Sequence, residues 1–372
     1  MAHKRQTLFR CIFLLLVSGL FFTPPTLGRM ITDGGGRQVE VPPRIAHVIC
    51  SGAGTLRLLT YLQAQDCIVA VDDMEKHRPQ FDARPYALAH PRFKAYPVFG
   101  EFRGHDHPEL ILTLSPLPQV IFKTLSASGH DPLELSRKTG IPVVVLNYGD
   151  LGKHRQDFYQ SLRIMGQVMG KAKRAEAVIA FFESHIADLK QRTAGIPNHC
   201  RPTCFVGGIA YRGPHGYQST EPMYPPFAFA GARNLAQDTA NADSALQYSS
   251  IAKEKILVWD PDVLFLDLST LQIGDKSSGL YELKNDVAYQ GLTAVQNGKV
   301  YGVLPYNWYT QNFGSILANA YFIGRLLYPE KFPDIDPVTM ADEIYTFLVG
   351  KPVFQQLNAA FSNLAFQSVP MK

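Results

Sequence analysis

The stretch KAKRAEAVIAFFESHIADLKQRT, residues 171–193, decides the fold. Read as a helix, it puts Ala172, Ala175, Ile179, Phe182, Ile186 and Leu189 on one stripe, in steps of three and four. Lys173, Arg174, Glu176, Glu183, Asp188 and Lys190 lie off that stripe. Lys190 and Arg192 sit where a cation complements the helix dipole. Gly195 and Pro197 then stop the helix. At the usual helical rise it would be roughly 35 Å long, about the size of a small domain. The segments on either side both read as α/β, so the expectation is a strut between two lobes. The lobes would span residues 29–149 and 200–372, with 150–199 as a helical connector. An ordinary surface helix of one large domain is the alternative.

Before the strut, residues 44–50 read as a strand, 51–54 as a tight small-residue loop and 55–62 as a helix. Strands follow at 67–71, 120–122 and 141–146, with helices at 108–114 and 133–139 and an irregular stretch at 85–97. After the strut, strands are expected at 203–209, 263–268 and 300–304, and helices at 249–259, 311–327 and 337–348. Such alternation predicts parallel sheets with helices on their faces. The fold class is therefore α/β, with two Rossmann-like lobes, parallel-rich central sheets and one long connecting backbone helix. An internal match supports two lobes of similar build. The segments 109–116 and 254–261 both fit Glu-x-Ile-Leu-x-x-x-Pro, and each runs into an apolar strand.

Residues 1–28 have the form of a cleaved secretory signal. Lys4, Arg5 and Arg10 precede an apolar run over residues 12–22 that is short for a bilayer span, and Thr26-Leu27-Gly28 is a usable cleavage site. An uncleaved anchor is the alternative. The chain carries 36 basic and 32 acidic residues. Without the three basic residues of the signal, 33 face 32, a net charge of +1. No Lys/Arg run or RNA-binding signature points to nucleic acid. Cys50, Cys67, Cys200 and Cys204 would meet an oxidising compartment, where a Cys200–Cys204 disulfide or buried thiols are both possible.

Gly52 and Gly54 imitate a dinucleotide fingerprint, but Arg57 stands where its third glycine belongs. There is no Walker lysine, no Gly-x-Ser-x-Gly elbow and no evident triad, and no cofactor is expected. His105-Asp106-His107 offers two imidazoles, too few for a tetrahedral metal site on their own. Two loops, 72–90 and 211–224, combine guanidinium, phenol and hydroxyl groups next to predicted strands, where α/β folds place ligands. A third is Tyr306-Asn307-Trp308-Tyr309. Arginine grips oxygen-rich ligands with charge-assisted bonds, and tyrosine adds a flat face with a polar tip. The candidate ligand contacts are Arg84, Tyr86, Arg103, Tyr148, Arg212, His215, Tyr217, Glu221, Tyr224, Trp308 and Tyr309. A secreted hydrolase or metal enzyme is the rival of another class.

The segments 44–59, 109–122, 140–146, 171–193 and 254–266 together resemble the substrate-binding proteins of ABC importers, in the class with two α/β lobes joined by a rigid helix. The resemblance covers essentially all of residues 29–372. It implies a periplasmic monomer that captures a metal complex between its lobes, foremost a ferric siderophore. A molybdate or tungstate oxyanion and cobalamin are the alternative ligands. It also implies delivery to a permease and its ATPase. In such proteins a glutamate on each lobe docks the permease, and Glu109 matches the N-terminal one. The C-terminal one would fall in Gly231-Ala232-Arg233-Asn234, where Arg233 replaces the acid.

Overall fold

The computed structural model describes residues 28–76, 80–125, 129–237, 248–274 and 276–371. The signal-like segment and Cys11 lie outside them. β1 (Arg29–Thr32) and β2 (Gln38–Val41) form an antiparallel ribbon. The Asp33 carboxylate anchors its turn, accepting from the Arg37 side chain and from the amides of Gly35, Arg37 and Val145.

β3 (Val48–Ser51) leads through Gly52 and Gly54 into α1 (Thr55–Tyr61). β4 (Ile68–Asp72) runs into α2 (Asp73–Lys76). The stretch expected to be irregular instead forms α3 (Pro85–Ala89) and a 3-10 turn over Pro91–Ala95. Pro85 and Pro91 each start these turns at a position needing no backbone donor. β5 (Val98–Glu101), β6 (His105–Asp106), α4 (Pro108–Leu112), β7 (Val120–Thr124), α5 (Pro132–Thr139) and β8 (Val143–Leu146) complete the lobe. Its sheet has the order β6-β5-β4-β3-β7-β8, parallel except for β5–β6. Every residue of β7 and β8 is buried, as expected for strands covered on both faces.

α6 (Arg155–Val168) precedes the strut α7 (Ala172–Thr193). α7 buries Ala175, Val178, Ile179, Phe182, Ile186 and Leu189. Ala172, expected on the stripe, is exposed, and Val178 joins it instead.

The second lobe contains β9 (Thr203–Gly207), β10 (Ser219–Thr220), α8 (Pro225–Ala230), β11 (Arg233–Asn234), β12 (Ser249–Ser250), α9 (Lys253–Trp259) and β13 (Val263–Asp267). Three short helices follow, α10 (Gly279–Asn285), α11 (Val287–Gln290) and α12 (Thr293–Gln296), then β14 (Val300–Val303), α13 (Phe313–Leu327), α14 (Pro337–Val349) and α15 (Phe354–Ala360). Its parallel sheet has the order β11-β9-β13-β14. The repeated motif falls on α4 and α9, each with its glutamate in the first turn and each leading into a buried central strand.

The two sheets are separate, but one hydrophobic core runs from each lobe through the helices between them. α7 packs against α6, α8 and α13, while α14 contacts α1 and α3 of the first lobe. His90 Nε2 donates to the Val349 carbonyl at 3.0 Å. Arg174 on the strut donates to the carbonyls of Tyr61 and Phe347, and Phe181 stacks on Phe347 with ring centroids 4.0 Å apart. The C-terminal segment thus returns to the first lobe, which a boundary drawn at residue 200 does not capture. Cys50, Cys67, Cys200 and Cys204 are all free. Cys204 is buried in β9 while Cys200 is exposed on the turn before it, so the short disulfide is not formed.

Candidate functional site

At the C-terminal ends of β3, β4 and β8, the loop around Gly54, Asp72 and Tyr148 meet residues 309–311 of the second lobe. There the first βα loop must turn tightly. Gly52 and Gly54 have φ +83° and +82°, and a Cβ on Gly54 would sit 2.2 Å from the Tyr148 ring. Glycine is what lets that ring close over the loop.

One turn into α1, Arg57 is fully buried and reaches across the junction. Its guanidinium donates to the carbonyls of Gln311 (2.8 Å), Trp308 (3.1 Å) and Tyr309 (3.1 Å) and to the Tyr148 hydroxyl. Tyr148 in turn donates to the Gln311 carbonyl at 2.7 Å. Among the described residues Arg57 has no carboxylate partner. The loop it holds sends Tyr309 into the first lobe, where the phenol donates to Asp72 Oδ2. The Arg103 amide donates back to Tyr309 Oη at 3.3 Å.

Behind Asp72 lies a buried ionic cluster. Arg84 donates to Asp82 at 2.8 and 3.0 Å and lies 3.2 Å from Glu75, which also accepts from the Tyr86 hydroxyl at 2.5 Å. Burial, then the charge of Glu75, pushes the Asp72 carboxyl up to about 7, against the opposing pull of the Tyr309 hydrogen bond and Arg84. In the second lobe Glu221 is pushed up to about 8 by burial, opposed by the hydrogen bond from Tyr306 and reinforced by Asp267 and Asp150. Burial likewise raises Asp267 to about 7, opposed by bonds from Ser269.

Two cavities open beside this contact. One of about 280 Å³ lies where the end of the first lobe and the start of the connector face the second lobe, lined by Gly149, Asp150, His154, Asp157, Tyr248, Asn307, Thr310 and Gln311. Its neighbour, about 410 Å³, lies in the second lobe and is lined by Tyr211, His215, Gln218, Ser219, Tyr248, Ser249, Ser250 and Glu282. Tyr248 borders both and stacks on Tyr211, with centroids 4.5 Å apart. Their walls hold carboxylates, imidazoles, phenols and hydroxyls, and among the described residues no lysine or arginine.

The structure brings Tyr148, Trp308 and Tyr309 to the junction, with His215 on the larger cavity and Arg103 and Arg212 at exposed rims. Arg212 lies over the Tyr211 ring, 5.3 Å from its centroid. Arg84 and Tyr86 are corrected: both are buried, their polar groups spent on Asp82 and Glu75. Tyr217, Glu221 and Tyr224 are likewise interior groups rather than cavity walls. Tyr217 packs under Gly207 and between Phe205 and Tyr289, and Tyr224 packs on Phe227 and Tyr306. Glu109 is exposed on α4. Sequence reading passed over Arg57, Tyr248, Asp150, His154 and Gln311. Arg57 had left a trace, as the large cation replacing a glycine beside a small-residue loop.

The His105–His107 segment forms β6 and the residue after it. Asp106 is ion-paired with buried Lys123, and His105 meets His130 edge-on. No group of three or more His, Cys, Asp or Glu able to hold a metal is found among the described residues. Lys123 also donates to Ser51 Oγ at 3.1 Å.

Residues 48–306 match the family model described as periplasmic binding protein. The chain is 22% identical to the molybdate-binding protein MolA of Haemophilus influenzae over 352 residues, 89% of this chain and 93% of that protein. The structure of MolA bound to molybdate superposes with a TM-score of 0.65 at 19% identity, covering 87% of this chain and 98% of that one. The iron-uptake system-binding protein of Bacillus subtilis is 24% identical over 195 residues, 52% of this chain and 54% of that protein. A periplasmic solute-binding protein from Veillonella parvula superposes with a TM-score of 0.68 at 18% identity, covering 92% and 99%. The chain belongs to the periplasmic binding protein family.

Proposed function

We propose that this binding protein captures a metal complex, foremost a ferric siderophore, at the lobe junction and delivers it to a membrane permease with its ATPase. The single observation behind this reading is the lining of the inter-lobe cavity. Oxygen and imidazole groups face it, and no cationic side chain of the described residues does. A neutral or cationic complex suits such walls better than a bare anion, which would meet Asp150 and Asp157 without a counter-charge. The chain acts by saturable binding without turnover, as an exported monomer freed of residues 1–28. Lobes 29–149 and 200–372 bracket the solute.

A second reading, an oxyanion such as molybdate, is favoured by one feature. Arg57 and Tyr148 supply donors to the junction, and Arg57 carries a buried charge with no acidic partner among the described residues. MolA, a relative over most of the chain, is named for molybdate. Isothermal titration of residues 29–372 with the neutral ferric tris(acetohydroxamate) and with sodium molybdate separates the two. Saturable binding of an iron complex with none of molybdate supports the first reading, and the converse supports the second.

Docking is assigned to Glu109, exposed at the start of α4. Its counterpart on the second lobe is Glu254, at the same place on α9, because Arg233 occupies the other candidate stretch. Glu109→Arg is expected to abolish import in cells while leaving the affinity measured in solution unchanged. A fall in affinity would instead place Glu109 in the binding site.

A further inference from the structure

The loop of residues 308–311 belongs to the second lobe but satisfies groups of the first. Three of its carbonyls, those of Trp308, Tyr309 and Gln311, take up the Arg57 guanidinium. Its one phenol fills a slot lined by Cys50, Gly52, Gly54, Asp72 and Tyr86, where only about 10 Å³ stays empty. Within that slot Asp72 Oδ1 has no hydrogen-bond partner among the described residues, although Asp72 is only 4% exposed. The loop adopts this shape against its own preferences. Tyr309 and Thr310 have φ +47° and +59°, a conformation that bulky and β-branched residues avoid and that persists only where the surroundings enforce it. Asn307 and Asn312 brace its ends, through the Ala210 carbonyl and the carbonyls of Tyr306 and Trp308.

We propose that residues 308–311 are a resident occupant of the solute position, withdrawn when solute enters, and that the solute copies their hydrogen-bonding pattern. That pattern is oxygen acceptors for Arg57 and Tyr148 together with a hydroxyl donor for Asp72. The proposal rests on the lobe junction being the solute site, as argued above. It narrows the ligand to a hydroxylated, oxygen-rich complex. A fully deprotonated oxyanion supplies the acceptors but no donor. Because a binding-competent state held at low population weakens apparent affinity in proportion, loosening the loop tightens binding.

The chain has two tryptophans, Trp259 and Trp308, so Trp259→Phe leaves Trp308 as sole reporter of the loop. In that background, acrylamide quenching of the solute-free protein is compared with and without Tyr309→Phe, and with Asp72→Asn as a second release. Affinity for the neutral ferric tris(glycolohydroxamate), which keeps free hydroxyls, and for sodium molybdate is then measured by titration. Both variants are expected to raise quenching. Tyr309→Phe is expected to tighten the ferric complex by about tenfold, the worth of one lost hydrogen bond to a buried acceptor. The ferric complex is expected to bind the parent in preference to molybdate. Unchanged quenching in both variants, weaker binding by Tyr309→Phe, or tighter parental binding of molybdate would overturn the proposal. If neither probe binds any form, the solute-site reading fails on its own. The loop is then judged by quenching alone, a rise supporting its release and no change refuting it.

Discussion

The two lobes share a plan and differ in how they handle most of their buried charge. Away from the junction, where Arg57 and Asp72 sit, the first lobe buries charges in compensated sets: Arg84 with Asp82 and Glu75, and Lys123 with Asp106. The second buries Glu221 and Asp267 with hydroxyl and amide partners and, among the described residues, no cation. Compensated charge demands that every partner stay in place, because removing one leaves the other uncompensated in a poor solvent. An isolated carboxyl avoids that cost by taking up a proton. Apart from Asp72 at the junction, the difference separates a lobe held by fixed ions from one whose interior responds to acidity.

The largest test of this contrast is Arg84→Ala. It strips the counter-charge from Glu75 and Asp82 and is expected to cost ~3–5 kcal/mol in urea unfolding. A loss near that of an ordinary surface substitution would remove the distinction. Next is the pH dependence of the second lobe. Glu221 and Asp267 have folded values of about 8 and about 7, above their ordinary 4.5 and 3.8. Such groups contribute stability that is whole below the unfolded value and lost as pH rises through the folded one. Tm should therefore fall between about pH 4 and pH 8. Glu221→Gln should recover ~2–4 °C of that fall, as followed by thermal scans at pH 5 and pH 8. Asp72 moves in the same sense, so only a Glu221→Gln, Asp267→Asn profile as steep as the parent's would assign the effect to the first lobe.

A smaller effect is expected at the junction itself. Arg174→Ala removes the bonds to Tyr61 and Phe347 and the cation–ring contact, 4.1 Å from the Phe347 centroid. It should cost ~1–2 kcal/mol and speed amide exchange at the end of α14. Smallest is thiol reactivity. Cys200 is exposed, while burial raises the Cys50 and Cys204 thiols. Iodoacetamide should modify Cys200 first without altering Tm.

How much of this was legible in the sequence follows from which residues carry periodic signals. The strut announced itself because its burial pattern repeats at helical spacing over 22 residues. β7 and β8 did so because strands buried on both faces are uniformly apolar. The α4 and α9 match was visible because equivalent helices need the same acidic start and proline stop. The site was far less legible. Arg84 and Tyr86 have the chemistry of ligand contacts, and only coordinates show that Asp82 and Glu75 already use it. Arg57 meets carbonyls some 250 positions away, a contact that leaves no local pattern. Ala172 lay on the predicted stripe but falls at the first residue of α7, where solvent still reaches it.

The return of α14 to the first lobe bears on how the molecule would respond to being cut. A protease nick at residues 194–202, just after the strut, leaves a fragment that carries α1 and α3 and another that carries α14. The contacts of α14 with α1 and α3, the His90 bond to Val349 and the Arg174 bond to Phe347 all span the nick. The two pieces should therefore co-purify, and halves produced as separate polypeptides should reassemble into one body.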